Sequence, residues 1–215
     1  NVATGQTLWS HSERTRFSEW QGGDGPRATP TVQDGRVYAM GGTGILLCLD
    51  AATGKLVWRR SVLEENGLSN LIWGTSSSPL IVDGLTVITG GRGSGAVLYA
   101  YRSSDGSPAW KSGDRDASYA SPILATLAGR RVIVSNNAES LTAHDPATGR
   151  ELARVARTGV EGDALVGNVA LVCNFAGAGE VGGNAKGKAK AKVNNSLSTQ
   201  ICPLHAGTCS HLLHV

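Results

Sequence analysis

Five groups that can hold zinc, Cys202, His205, Cys209, His211 and His214, fall within 13 residues near the end of the chain. Thiolate and imidazole ligands at such density suit a tetrahedral site. Their spacing matches no finger pattern, however, and nothing around them predicts the folded support that would orient ligands. The expectation is that they hold no metal. Arg92-Gly-Ser-Gly95 and Gly41-Gly-Thr-Gly44 have the glycines of a phosphate-binding loop but lack its Lys-Ser/Thr ending. Both lie between two predicted strands, so both read as hairpin turns. His11 and His144 stand alone, with surface or strand-edge positions expected. No Ser/His/Asp set can be assembled, and no catalytic residue is assigned.

The elements that must carry any site are repeats. Cys48-Leu-Asp50-Ala-Ala-Thr53-Gly54-Lys-Leu-Val-Trp58 returns as Ala143-His-Asp145-Pro-Ala-Thr148-Gly149-Arg-Glu-Leu-Ala153. Ala100-Tyr-Arg102-Ser-Ser-Asp105-Gly106-Ser-Pro-Ala-Trp110 lies between them, and Thr4-Gly5 and Trp9 supply the second half of an earlier copy. The turn glycines Gly5, Gly54, Gly106 and Gly149 are 49, 52 and 43 residues apart. Thr29-Pro30, Ser78-Pro79 and Ser121-Pro122 keep the same register and open apolar runs broken by turns. Asp34-Gly35 and Asp83-Gly84 are hairpin signals, because Gly supplies the positive φ of a tight turn. Strands are predicted near 29–34, 36–41, 45–50 and 55–60. A second set falls near 79–83, 85–90, 96–102 and 107–111, and a third near 122–127, 131–135, 139–145 and 150–155. With 29 Gly in 215 residues, roughly twice the usual share of about 7%, helical repeats are disfavoured.

Four antiparallel strands per 40–50 residues describe β-propeller blades. The expected fold is all-β: a partial propeller of about three four-stranded blades plus one strand, forming an open arc with an irregular C-terminal tail. In such a fold the residues just before each inner strand gather at one mouth of the channel. These are Trp20–Arg27, Trp73–Ser76 and Asp116–Tyr119, of which Arg27, Trp73, Ser76, Asp116 and Tyr119 are the expected ligand-binding residues. An aromatic, a guanidinium and hydroxyls in one funnel suit a peptide or a sugar-like polar ligand. Twenty basic against 17 acidic residues gives no basic stripe, so nucleic acid is not an expected partner. No apolar run reaches the roughly 18 residues that a spanning helix needs.

The pattern Ala-x-Asp-x-x-Thr-Gly-x-x-x-Trp resembles the tryptophan-docking motif of pyrroloquinoline-quinone (PQQ)-like propeller repeats, over residues 1 to about 158. The resemblance implies a structural docking role for Asp50, Thr53, Gly54, Trp58, Gly106, Trp110, Asp145, Thr148 and Gly149. Cys48 for Ala, Arg102 for Asp and Ala153 for Trp depart from it, the last implying weaker docking at the outer edge of the third blade. One branch of the family is made of non-catalytic propellers, including an outer-membrane assembly lipoprotein; Trp73–Pro79 and Asp116–Pro122 look most similar to this branch. It implies a binding or assembly scaffold in the periplasm or another extracytoplasmic space, with protein or peptide partners and no cofactor. The missing blades of a longer chain would be further partners. The other branch, quinoprotein alcohol or sugar dehydrogenases, binds PQQ and calcium, with the quinone between a Trp and a disulfide of adjacent Cys. No adjacent Cys pair occurs here. Asp24, Asp114 and Asp116 could offer calcium oxygen ligands, but their spacing fits turns and strand ends better.

Composition changes near residue 158. All 14 Arg lie at or before Arg157, four of the six Lys fall between Lys186 and Lys192, and Phe175 is the single aromatic after Tyr119. The chain begins at Asn1, not Met. A processed or partial chain is therefore expected, with residues 159–215 an irregular or disordered tail, either a frame-shifted or misjoined segment or a natural low-complexity linker with a disordered end.

Overall fold

The computed structural model describes residues 1, 3–93 and 95–156, all within one compact unit. The tail, its Cys/His cluster and the boundary at 158 lie outside the described residues. After a small hairpin, β1 (Ser18–Glu19) and β2 (Gly23–Asp24), the chain builds three antiparallel four-stranded sheets. The first is β3 (Thr31–Gln33), β4 (Arg36–Met40), β5 (Ile45–Asp50) and β6 (Leu56–Ser61), followed by one helical turn, α1 (Val62–Glu65). The second is β7 (Leu80–Val82), β8 (Leu85–Thr89), β9 (Leu98–Arg102) and β10 (Pro108–Ser112). The third is β11 (Ile123–Leu127), β12 (Arg130–Asn136), β13 (Ser140–His144) and β14 (Glu151–Ala156). Each sheet runs in sequence order, the meander of a propeller blade.

The first hairpin of each blade is closed by two residues, both with positive φ: Asp34-Gly35 at 50° and 70°, Asp83-Gly84 at 50° and 74°, and Ala128-Gly129 at 48° and 76°. That backbone matches the twist of the paired strands. Ala128 takes the position that Asp holds in the other two, which is why the third turn lacks the Asp-Gly signal.

Alternation along β5 explains the layering. Leu46 and Cys48 point into a core shared with the second blade, beside Tyr38, Trp58 and Ile88. Ile45, Leu47 and Leu49 face the other way and pack with Trp9. A strand apolar on both faces sits between two layers. A second interblade core joins Val87, Leu98 and Ala100 to Ile133 of the third blade. Burial raises the pKa of the Cys48 thiol and of the neighbouring Tyr38 phenol.

Trp9, Trp58 and Trp110 each lie against the turn glycine of the next repeat: a Cβ on Gly54, Gly106 or Gly149 would stand 2.5, 2.8 or 2.4 Å from an indole carbon. The Trp9 indole N–H donates to the Ala51 carbonyl and that of Trp58 to the Ser103 carbonyl, each at 2.9 Å. Burying such a ring removes about 150–250 Å² from water, roughly 4–6 kcal/mol, against about 1 kcal/mol net for the hydrogen bond. Apolar contact therefore dominates.

In two turns the Asp and Thr of the repeat form a closed set. The Asp50 carboxylate accepts from the Thr53 amide at 2.9 Å and hydroxyl at 2.7 Å; Asp145 accepts both from Thr148 at 3.1 Å. Arg102 cannot accept, and Asp105, in the Thr position, takes over by accepting from the Ser107 amide and hydroxyl at 2.8 and 2.7 Å. These bonds hold the Asp50 and Asp105 carboxyls below their ordinary pKa. At Asp145 burial pushes upward, but bonds from Arg130 and Thr148 outweigh it.

Two expectations are corrected, and two small elements are new. Described residues 3–10 form no strand, since no sheet neighbour offers a ladder to them; only the Thr-Gly turn is kept, with the Gly5 amide donating to the Asn1 carbonyl at 2.8 Å. The β1–β2 hairpin and α1 were not expected, because elements of two to four residues are too short to show a period. His144, expected at the surface or a strand edge, ends β13 and is fully buried.

Candidate functional site

The Ser/Thr-Pro markers join the blades at the start of their inner strands. The Thr29 amide donates to the Ser78 hydroxyl at 3.0 Å, and the Ser78 amide to the Ser121 hydroxyl at 2.9 Å. The same residue thus gives its N–H one way round the arc and receives one from the other. Proline next in line fixes φ and removes a donor that would otherwise need its own partner.

These hydroxyls form one wall of a cavity of about 550 Å³, within the range of small-ligand sites. Four of the five expected residues, Arg27, Trp73, Ser76 and Tyr119, line it. Trp73 and Tyr119 sit with ring centres 5.2 Å apart at 35°, and the Tyr119 hydroxyl accepts the Trp73 amide at 3.2 Å. Ser76 donates its hydroxyl to the Tyr119 carbonyl at 2.8 Å. Arg27 is largely committed to its own loop. It donates to the Gly23 and Gly25 carbonyls at 2.9 and 3.3 Å and to Glu19 at 3.4 Å, with its guanidinium 5.4 Å from the Phe17 ring centre.

Asp116 does not line the cavity. Its carboxylate accepts the Gly93 amide at 2.9 Å and pairs with Arg92 at 3.5 Å, which ties two loops together. Trp20, expected among the mouth loops, stands 89% exposed at the hairpin tip.

Among the further lining residues, Gln21 and Glu19 were not singled out by sequence reading. Gln21 accepts the Trp73 indole N–H at 2.9 Å and so fixes the ring. Glu19 accepts the amides of Gln21 (2.8 Å) and Gly22, which closes the hairpin. Both depend on β1–β2, whose fold no periodicity announces.

The acidic candidates for calcium are each spent on arginine. Asp24 pairs with Arg16 and Asp114 with Arg154, and these bonds lower both carboxyl pKa values. No group of three or more His, Cys, Asp or Glu able to hold a metal occurs among the described residues. Cys48, the one cysteine among them, is buried beneath Tyr38 and Trp58. The described residues therefore do not fit PQQ with its cysteine platform and calcium.

Three meander blades repeating an Asp/Thr-Gly/Trp pattern define a PQQ-like repeat protein of partial propeller fold. The family model described as outer membrane protein assembly factor BamB matches residues 1–178, and the chain belongs to that family. The match runs past the boundary expected at 158. The chain is 30% identical to the BamB of Salmonella typhimurium over 128 residues, 58% of this chain and 30% of that protein. It is 37% identical to the BamB of Xanthomonas campestris pv. campestris over 105 residues, 48% of this chain and 24% of that protein. The crystal structure of BamB from Moraxella catarrhalis superposes with a TM-score of 0.51 at 21% identity, covering 70% of this chain and 43% of that one, a likeness of fold. The chain spans less than a third of the length of these curated relatives. No described helix is long and apolar enough to cross a membrane.

Proposed function

We propose that this chain is part of a non-catalytic propeller that serves as a binding and assembly scaffold for outer-membrane proteins, working in the periplasm. Family membership over residues 1–178 carries this reading. In it, residues 1–158 form the scaffold, and Trp9, Trp58 and Trp110 act as docking side chains that keep the blades in register. The mouth cavity, with Arg27, Trp73, Ser76 and Tyr119, is its ligand site, and Asp116 supports the loops around it.

The test is a chimera in which this chain replaces the 128 matching residues of the Salmonella relative. Expressed in a strain lacking that factor, it should restore the abundance of outer-membrane proteins. A folded, exported chimera that restores nothing counts against the scaffold reading. Dye-linked alcohol or sugar oxidation by the chain with added PQQ and calcium would replace it with the dehydrogenase reading.

A further inference from the structure

The mouth cavity has an uneven supply of hydrogen-bonding groups. Its strong acceptors are engaged. Glu19, the single carboxylate in the lining, receives the Gln21 and Gly22 amides and Arg27, and the Gln21 carbonyl oxygen receives the Trp73 indole. Its donors are not. The Ser78, Ser121 and Tyr119 hydroxyls each accept a backbone N–H, but no acceptor among the described residues takes their own protons. The Thr29 hydroxyl and the Gln21 amide nitrogen also have no acceptor there. Five donors from all three blades therefore face the space beside the Trp73–Tyr119 ring pair.

Charge narrows the choice. The Arg27 charge is matched by Glu19, at 3.4 Å, so the lining offers no net charge to a phosphate. A sugar presents hydroxyl donors that need strong acceptors, and the carboxylate that would serve is engaged. A backbone carbonyl needs only a donor, and an extended peptide presents one at every residue.

We propose that this cavity binds a neutral, extended peptide segment. Its carbonyl oxygens accept from the Ser78, Ser121 and Tyr119 hydroxyls and the Gln21 amide, and a flat side chain lies against Trp73 and Tyr119. The proposal rests on the scaffold reading and gives its site a ligand class.

The experiment uses the full 215-residue chain and two probes, acetyl-Ser-Phe-Ser-Phe-amide and maltotriose. The readout is the NMR signal of the Trp73 indole N–H, assigned by its loss in Trp73→Phe. The peptide should shift this signal saturably, and maltotriose should not at equal concentration. Gln21→Glu keeps an oxygen for the indole but replaces the amide donor with a carboxylate that repels carbonyls. It should shift the unbound signal once, through a stronger indole bond, leave the thermal midpoint near that of the parent and weaken the peptide about tenfold or more. The proposal falls if maltotriose binds as well as the peptide, if neither binds, or if Gln21→Glu binds the peptide as the parent does. The chimera is scored separately: restored outer-membrane proteins with no peptide shift would remove this ligand and leave the scaffold.

Discussion

Trp58 and Gly106 are 48 residues apart and in contact, the indole of one blade lying where any side chain on the next blade's turn would go. Gly106 is held at φ 74°, as is Gly84, but the space beside Gly84 is open. The pair separates two reasons for a glycine. Gly84→Ala should cost only left-handed strain, about 1–2 kcal/mol. Gly106→Ala should add overpacking against a buried ring, about 1–3 kcal/mol more. Urea unfolding of the two variants checks this, and equal losses would mean that the Trp58 contact is slack.

The three tryptophans are not equivalent. The buried indole N–H of Trp110 has no partner among the described residues, whereas that of Trp58 is bonded to Ser103. Trp58→Phe removes a made bond and strands the Ser103 carbonyl. Trp110→Phe removes a donor that was already desolvated for nothing. Trp58→Phe should therefore be the more destabilising by about 1 kcal/mol, read from chemical denaturation midpoints. The reverse order would show that Trp110 finds an acceptor in solution.

Arg102 and Asp105 make a coupled departure from the repeat. Asp105→Thr alone restores the commoner residue, yet it should lower the melting midpoint, because Arg102 cannot accept in its place. Arg102→Asp with Asp105→Thr should recover most of the loss by rebuilding the arrangement seen at Asp50 and Thr53. A double-mutant cycle with no coupling would contradict this account.

Much of this architecture was legible because period-2 alternation and Gly-centred turns are local signals. Blade strands such as 36–40, 45–50 and 85–89 fall within a residue or so of expectation. Where a turn lacked its usual residue, as at Ala128, the flanking strands still declared it. Four of five site residues gathered in one cavity because their place before each inner strand is set by the repeat itself. Asp116 lies outside that cavity because a carboxylate's partners, here Arg92 and the Gly93 amide, are chosen by tertiary geometry. Glu19 and Gln21 were missed because they depend on a hairpin of two-residue strands, too short to show a period. The burial of His144 was hidden too: a polar residue in an alternating strand reads as outward-facing until its partners on other strands are known.

Those partners make His144 sensitive to acid. It joins two blades: Nδ1 lies 2.9 Å from the Ser112 hydroxyl at the end of β10 and 3.0 Å from the Gly149 carbonyl. Nε2 lies 2.8 Å from the Thr142 hydroxyl. A carbonyl can only accept, so Nδ1 carries the proton and Nε2 accepts from Thr142. Burial lowers the imidazole pKa; the Gly149 carbonyl and nearby Glu151 favour the charged form but do not outweigh it, and Arg154 opposes it. A group with a depressed folded value binds its proton more tightly in the unfolded chain. Its contribution is present above the unfolded value, about 6.5, and is lost as pH falls through the lower folded value. The urea midpoint of the parent should thus fall between pH 7.5 and 5.5, before carboxylates titrate. His144→Gln, which cannot titrate, should start lower and change less over the same range, the remaining histidines being common to both proteins. Parallel curves would mean that His144 is solvated in the folded protein and that the blade interface does not depend on its neutral form.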